Sequence, residues 1–424
     1  MLLWLLPLLC MGGNMQAQQV SYADYFEDAT LRVDYHRTGN KAHDTVVVQG
    51  YSRLTAWAGS LTQLLDPFDN GDYRVVVKDA VTGIELYSRG YNTLFREYRD
   101  TPAGKDSVAT FEEVLRLPYP KQTVIICWEE RGEDHQYHQQ VTWRFNPDVM
   151  EAHALEKAPQ YQALKYNGDS HKKIDVVIVP EGYGPGDRDK MMRDLNAFCE
   201  YLLAQEPFHH RRKDFNVWAV LETGKVRGIT DPTMGIQVSS LVGSSYNTFG
   251  SDRYLMTMNL FKLHDVIGET PCDHIIIMAN SSTYGGGAIY NFYAMSSLTE
   301  WAPYVLPHEL GHSIGGLADE YVDEEISYGE MHGRDFEPTE PNITTLVDFD
   351  SKWMSMLKKG TPVPTPDDEN VKPGKNGPLG VYEGAGYQPK GIYRPVMHCM
   401  MRDYAPFCPV CTKRLNEVFD LYTR

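Results

Sequence analysis

The residues best placed to do chemistry are His308, Glu309 and His312, in the run VLPHELGHSIGGLADEY at 305–321. On a helix, positions four apart share one face with Cβ atoms roughly 5–6 Å apart, so the two imidazoles can converge on one ion. Two neutral imidazoles suit Zn2+, and a glutamate one step round the helix can reach a water on that ion. A catalytic zinc takes three protein ligands and keeps one position open. Gly315-Gly316 offers a sharp turn after the helix, and Asp319 and Glu320 follow it, so a carboxylate can complete the set. Val305, Leu306, Leu310 and Ile314 recur at helical spacing, which predicts a helix buried on one side with Pro307 in its first turn. In a purely structural role, the same histidines would pair with carboxylates in a core helix.

Other elements must hold that helix. IDVVIVPEGYG (174–184), FNVWAVLE (215–222) and HIIIMAN (274–280) read as strands buried on both faces. DRDKMMRDLNAFCEYLLAQEPF (187–208) puts Met191, Leu195, Phe198 and Leu202 on one helical face. Strand and helix alternate, which predicts a layered α/β sheet feeding the helix that carries the histidines.

HELGHSIGGLADEY resembles the signature of the IgA-peptidase-like zinc metallopeptidases, a group with affinities to the metzincins. YEGAGYQPKGIYRPVMHCMMRDYAPFCPVC (382–411) resembles a second block of that family, and the likeness runs from about residue 150 to the C-terminus. The resemblance implies an α/β metzincin-like domain, three-layer α/β/α, acting on a protein or peptide substrate. His308, His312 and Asp319 would be zinc ligands and Glu309 the general base. The metzincin pattern puts its third ligand six residues after the second histidine, here Ala318, which cannot bind metal. The turn must then carry an extra residue, and Glu320 competes with Asp319.

The same resemblance gives roles to residues on either side. Gly286, Gly287 and Ala288 would lie on an open edge strand that adds an extended substrate to the sheet. Met397 or Met400, in RPVMHCMM, would form a Met-turn beneath the ion. One of Tyr382, Tyr387, Tyr393 and Tyr404 could donate a hydrogen bond to a developing oxyanion.

The rest of the chain sets the context. A length of 424 residues predicts two or three domains, and a formal charge of −17 argues against a nucleic-acid partner. Residues 1–17, MLLWLLPLLCMGGNMQA, read as a signal peptide cut after Ala17, too short to span a membrane. Export to the periplasm, cell surface or medium follows. Cys10 would leave with the signal, since bulky Leu9 precedes it where a lipid-attachment site has a small residue.

Residues 18–146 predict an all-β sandwich of the immunoglobulin-like kind, from the runs 46–51, 73–79, 84–91, 123–130 and 137–145. That domain is a candidate for glycan or cell-surface contact, or simply a support for the catalytic domain at 147–424. A monomer is expected. Cys399, Cys408 and Cys411 could hold a structural zinc with His398, but export favours a disulfide among them. The reading as a whole is an exported zinc metalloendopeptidase of protein or glycoprotein substrates. Its alternative is a non-catalytic peptide- or glycan-binding surface protein with a structural zinc.

Overall fold

The computed structural model describes residues 20–150, 159–323 and 333–424. The expected signal peptide at 1–17, Cys10 included, lies outside the described residues. Among the described residues no helix is long and apolar enough to cross a membrane.

The N-terminal half forms two antiparallel sheets. A short helix α1 (Tyr22–Tyr25) leads into β1 (Phe26–Gly39), followed by β2 (Asp44–Leu54), β3 (Tyr73–Asp79) and β4 (Glu85–Tyr91). Two short helices, α2 (Leu94–Asp100) and α3 (Pro102–Asp106), precede β5 (Ala109–Pro120), β6 (Val124–Arg131) and β7 (Tyr137–Phe145). One sheet has the order β2-β1-β5 and the other β4-β3-β6-β7. The β3–β4 turn forms because the Asp79 carboxylate accepts from the backbone N–H of Val81 and Thr82, while Gly83 takes φ +74°.

Sequence patterning overlooked β1, the centre of the first sheet, and β5 at its edge. Their alternation is broken by charge: Arg37 on β1 is fully buried and pairs with Glu113 on β5 at 3.0 Å and Asp44 on β2 at 2.7 Å. A buried guanidinium is tolerated only when paired in this way, and in sequence it reads as an exposed position.

The C-terminal half is organised by a six-stranded mixed sheet of order β12-β13-β11-β9-β10-β8. Its strands are β8 (Tyr161–Lys165), β9 (Ile174–Glu181), β10 (Phe215–Val220), β11 (His274–Ala279), β12 (Gly286–Ile289) and β13 (Tyr293–Ser297). β9, β10, β11 and β13 run parallel, and β8 and β12 close the two edges antiparallel. The helices are α4 (Arg188–Leu202), α5 (Leu260–Ile267), α6 (Ala302–Ser313) and α7 (Pro409–Thr423). A hairpin of β14 (Tyr382–Ala385) and β15 (Gln388–Arg394) precedes α7.

Alternate strand residues face opposite ways, and the two faces meet different partners. Val176, Ile178, Ile276 and Met278 pack with α4, α6 and α7. Val177, Val179, Ile275 and Ile277 pack with α5 and with Leu31, Val33, Val75 and Trp128 of the N-terminal sheets. The expected helical layer on this second face is therefore mostly replaced by the N-terminal half, with α5 as its helix. Arg32 on β1 reinforces the junction, bonding to Asp265 at 2.8 Å and to the Phe261 carbonyl at 3.0 Å.

Two histidines, His264 on α5 and His274 at the start of β11, are buried without ionic partners among the described residues. Burial, aided by Arg89, lowers the His274 pKa from 6.5 to about 3, and burial with Arg32 and Arg116 holds His264 well below its usual value. The native state keeps both neutral, whereas the unfolded chain takes up protons below pH 6.5. Stability is thus full above that pH and declines as pH falls from there towards 3. His274→Phe is expected to flatten this decline by up to about 1.4 kcal/mol per pH unit between roughly pH 4 and 6. Urea unfolding at a series of pH values checks it.

Candidate active site and metal centre

α6 starts one turn earlier than its sequence predicts, at Ala302, so Pro307 sits inside the helix and not in its first turn. Trp301 caps the start, with the Val305 N–H bonding its carbonyl at 2.9 Å. Val305, Leu306 and Leu310 are buried, and that apolar face presses the helix onto the sheet. His308 and His312, both half-buried, project from the same helix one turn apart.

Backbone carbonyls fix both rings. His308 Nδ1 lies 2.9 Å from the Met400 carbonyl and His312 Nδ1 lies 2.7 Å from the Leu317 carbonyl. A carbonyl only accepts, so each Nδ1 must carry a proton, which leaves each Nε2 as the atom that can bind an ion once it has given up its own proton. The two Nε2 atoms are 3.2 Å apart.

The glycine turn then returns the chain to the rings. Gly316 takes φ +58°, and a side chain there would collide with Asn70 and Tyr290. Asn70, from the N-terminal half, donates to the Gly316 carbonyl at 3.2 Å. Three residues on, Asp319 Oδ1 lies 3.2 Å from His308 Nε2 and 3.3 Å from His312 Nε2. No hydrogen-bond donor satisfies that buried oxygen.

Three lone-pair atoms 3.2–3.3 Å apart match the edge of a tetrahedron around a zinc-sized ion. Bonds of about 2.0–2.1 Å would separate such ligands by about 3.3–3.4 Å. The donor set therefore fits a divalent cation held by His308, His312 and Asp319.

The electrostatics agree. Burial alone would raise the Asp319 carboxyl, but the His312 and His308 rings outweigh it and hold it well below the usual carboxylate range. Burial would lower His312, yet Asp319 and Glu309 hold that ring up at about 9. The group strongly attracts positive charge. Glu309 is almost fully buried next to these rings, and burial, followed by the like charge of Asp319, raises its pKa against the pull of the histidines.

Other residues complete the site. The Tyr387 hydroxyl donates to Asp319 Oδ2, and the Gly386 N–H donates to the Asp319 carbonyl at 2.9 Å. Of the four tyrosines considered from sequence, Tyr387 is the one in contact with a candidate ligand. Hydrogen bonds to the far side of a ligand in this way orient it and raise its affinity for metal. Tyr387→Phe is expected to weaken metal binding about 10–100-fold, measured by competition with a chromophoric chelator. The Phe ring would keep the edge-on packing against Tyr321.

Several sequence expectations need correction. Gly286, Gly287 and Ala288 do form the edge strand β12 beside α6, but its outer side is not open along its length. Gly286 already exchanges backbone hydrogen bonds with Arg253 and Leu255, both at 3.2 Å, and Tyr254 and Met256 press on Gly287. Gly286 also allows close packing: a Cβ there would stand 2.8 Å from Glu309 Oε1.

The methionines also differ. Met400 contributes its carbonyl to His308, Met397 is only half-buried, and the sulfur pressed against Gly311 of α6 belongs to Met401. Helical close approach at a glycine is the signal that could have singled out Met401. Glu320 points away from the histidines altogether. Cys399, Cys408 and Cys411 are not joined by a disulfide here, and His398 pairs with Asp403 outside their cluster.

The model of the family described as IgA Peptidase M64 matches residues 163–376 and 371–419. The chain belongs to that family. The model of the M64 N-terminal region matches residues 21–142 as well. No curated protein matches the chain. As an M64 peptidase it is a metallopeptidase, a hydrolase of peptide bonds whose substrate is a protein or peptide. Family membership thus implies a metal, and the M64 match spans the residues able to hold one.

Proposed function

We propose that the chain is an exported, zinc-dependent metalloendopeptidase, with the zinc held by His308, His312 and Asp319. The observation that carries this reading is the 3.2–3.3 Å triangle of Nε2, Nε2 and Oδ1 lone pairs, with Glu309 buried beside it. A zinc ion there would polarise the scissile carbonyl and bring the pKa of a bound water to about 7. Glu309 accepts the proton of the attacking water and returns a proton to the leaving amine. Its raised pKa suits a group that must both take and give a proton. The Met400 and Leu317 carbonyls keep both rings in one tautomer throughout, and Tyr387 keeps Asp319 from rotating.

Export is part of the proposal and rests on the apolar run within residues 1–17. The metzincin-like reading of the catalytic half rests on the HExxH helix packed under an antiparallel edge strand of a mostly parallel sheet. The non-catalytic alternative has no use for a buried Glu309 at the ligand cluster. The test is to purify the mature protein, measure its zinc by plasma mass spectrometry, and digest an unfolded protein with it. Internal cleavage products, lost on chelation and regained with zinc, support the proposal. A zinc-loaded protein that leaves every peptide bond intact overturns it.

A further inference from the structure

Next to the candidate catalytic centre, and facing the other way, lies a second group of metal-binding side chains. Cys399, Cys408 and Cys411 bring their sulfurs together with the Glu320 carboxylate, all four side chains fully buried. Cys411 Sγ stands 3.8 Å from Cys399 Sγ, 3.5 Å from Cys408 Sγ and 3.3 Å from Glu320 Oε1. These spacings are too long for a disulfide, whose sulfurs are about 2.05 Å apart. They match the edges of a tetrahedron with zinc–sulfur bonds of about 2.3 Å, which separates sulfurs by about 3.8 Å.

The surroundings treat the sulfurs as acceptors. The Cys408 N–H points at Cys399 Sγ at 3.3 Å, and the Cys411 N–H at Cys408 Sγ at 3.4 Å. Cys408 also caps the N-terminus of α7, where partial positive charge favours a thiolate. Glu320 Oε1 accepts from Asn342 at 2.9 Å, but Oε2 has no hydrogen-bond partner although it is buried. An orphaned buried carboxylate oxygen beside three thiols is costly unless a cation answers it. Arg402 lies alongside, donating to the Glu320 carbonyl at 3.0 Å.

We propose that Cys399, Cys408, Cys411 and Glu320 bind a second zinc ion with a purely structural role. Four protein donors close the tetrahedron and leave no position for water or substrate. The ion ties the turn before α7 to the segment that follows the glycine turn. That segment places Asp319 and Glu320, adjacent in sequence, at the two different centres. Cys399 likewise precedes Met400, whose carbonyl orients His308. The structural ion would thus hold the third ligand and one ring of the catalytic centre in place without touching substrate. The proposal stands whether or not the neighbouring centre hydrolyses peptides.

The test compares the full mature chain with His312→Ala and Cys411→Ser variants. Wild type is expected to carry two zincs, and each variant one. Cobalt substitution of His312→Ala is expected to give an intense near-ultraviolet thiolate-to-cobalt band, which reads the cysteine site even if Cys411→Ser does not fold. Thiol titration of the unfolded, chelated wild type is expected to find all the cysteines that follow the signal sequence. A single zinc in wild type that vanishes in His312→Ala overturns the proposal, as does a cobalt protein without the thiolate band. A shortfall of two thiols would instead establish a disulfide and overturn it equally.

Discussion

Glu309→Gln is expected to keep its metal and fold while kcat falls by about 10²–10⁴-fold, the usual contribution of a positioned general base. Glutamine fills the same volume against Gly286 and keeps a hydrogen-bonding oxygen, but it cannot take the proton of water. The loss should therefore fall on kcat and not on KM. Steady-state hydrolysis of a quenched fluorescent peptide, with metal content measured on the same sample, checks it. If Glu309→Gln hydrolysed at the wild-type rate, the proton would have to be handled elsewhere. The neighbouring Tyr284 would then be examined first, since its hydroxyl feels the charge of Glu309.

Asp319→Ala should do something different: it should remove the metal. Loss of a bond to a ligand weakens metal affinity about 10–100-fold, and loss of the ligand itself is expected to exceed that. Two imidazoles remain, with their lone pairs still 3.2 Å apart and no carboxylate to offset the ion's charge. The Tyr387 hydroxyl, which donates to Asp319, would lose its acceptor at a cost of about 1–3 kcal/mol. Apparent metal affinity and melting temperature should fall together, and Asp319→Asn should be intermediate. Undiminished affinity in Asp319→Ala would disprove the ligand set, because Glu320 is turned towards the cysteines and cannot replace it without rebuilding the segment.

The sequence made the reactive residues legible because their chemistry is local. Two histidines four apart need only a helix to converge, and a doubled glycine announces the turn that brings Asp319 back. The buried strands of the C-terminal half were equally readable, as runs of Val and Ile whose charges, such as Asp175 and Glu181 of β9, fall at the strand ends. Long-range pairings left no such trace. Arg37 disguised β1 because its partners Glu113 and Asp44 are on other strands. The cysteines suggested a bond to one another because Glu320, the fourth member, is some 80–90 positions earlier in the chain. The edge strand looked open because the segment 253–256 that covers it gives no periodic signal.

The apolar interior shared between the N-terminal sheets and the second face of the C-terminal sheet bears on how this enzyme can be switched on. Removing the first half would bare Val177, Val179, Ile275 and Ile277 to water and release the Asn70 contact that steadies the Gly316 turn. That half cannot serve as a detachable inhibitor. It is closer to the inner wall of the enzyme, and the two halves must be inherited and folded as one piece. A protease that cuts at the exposed Val149 should yield two fragments that travel together on a sizing column and come apart only in denaturant.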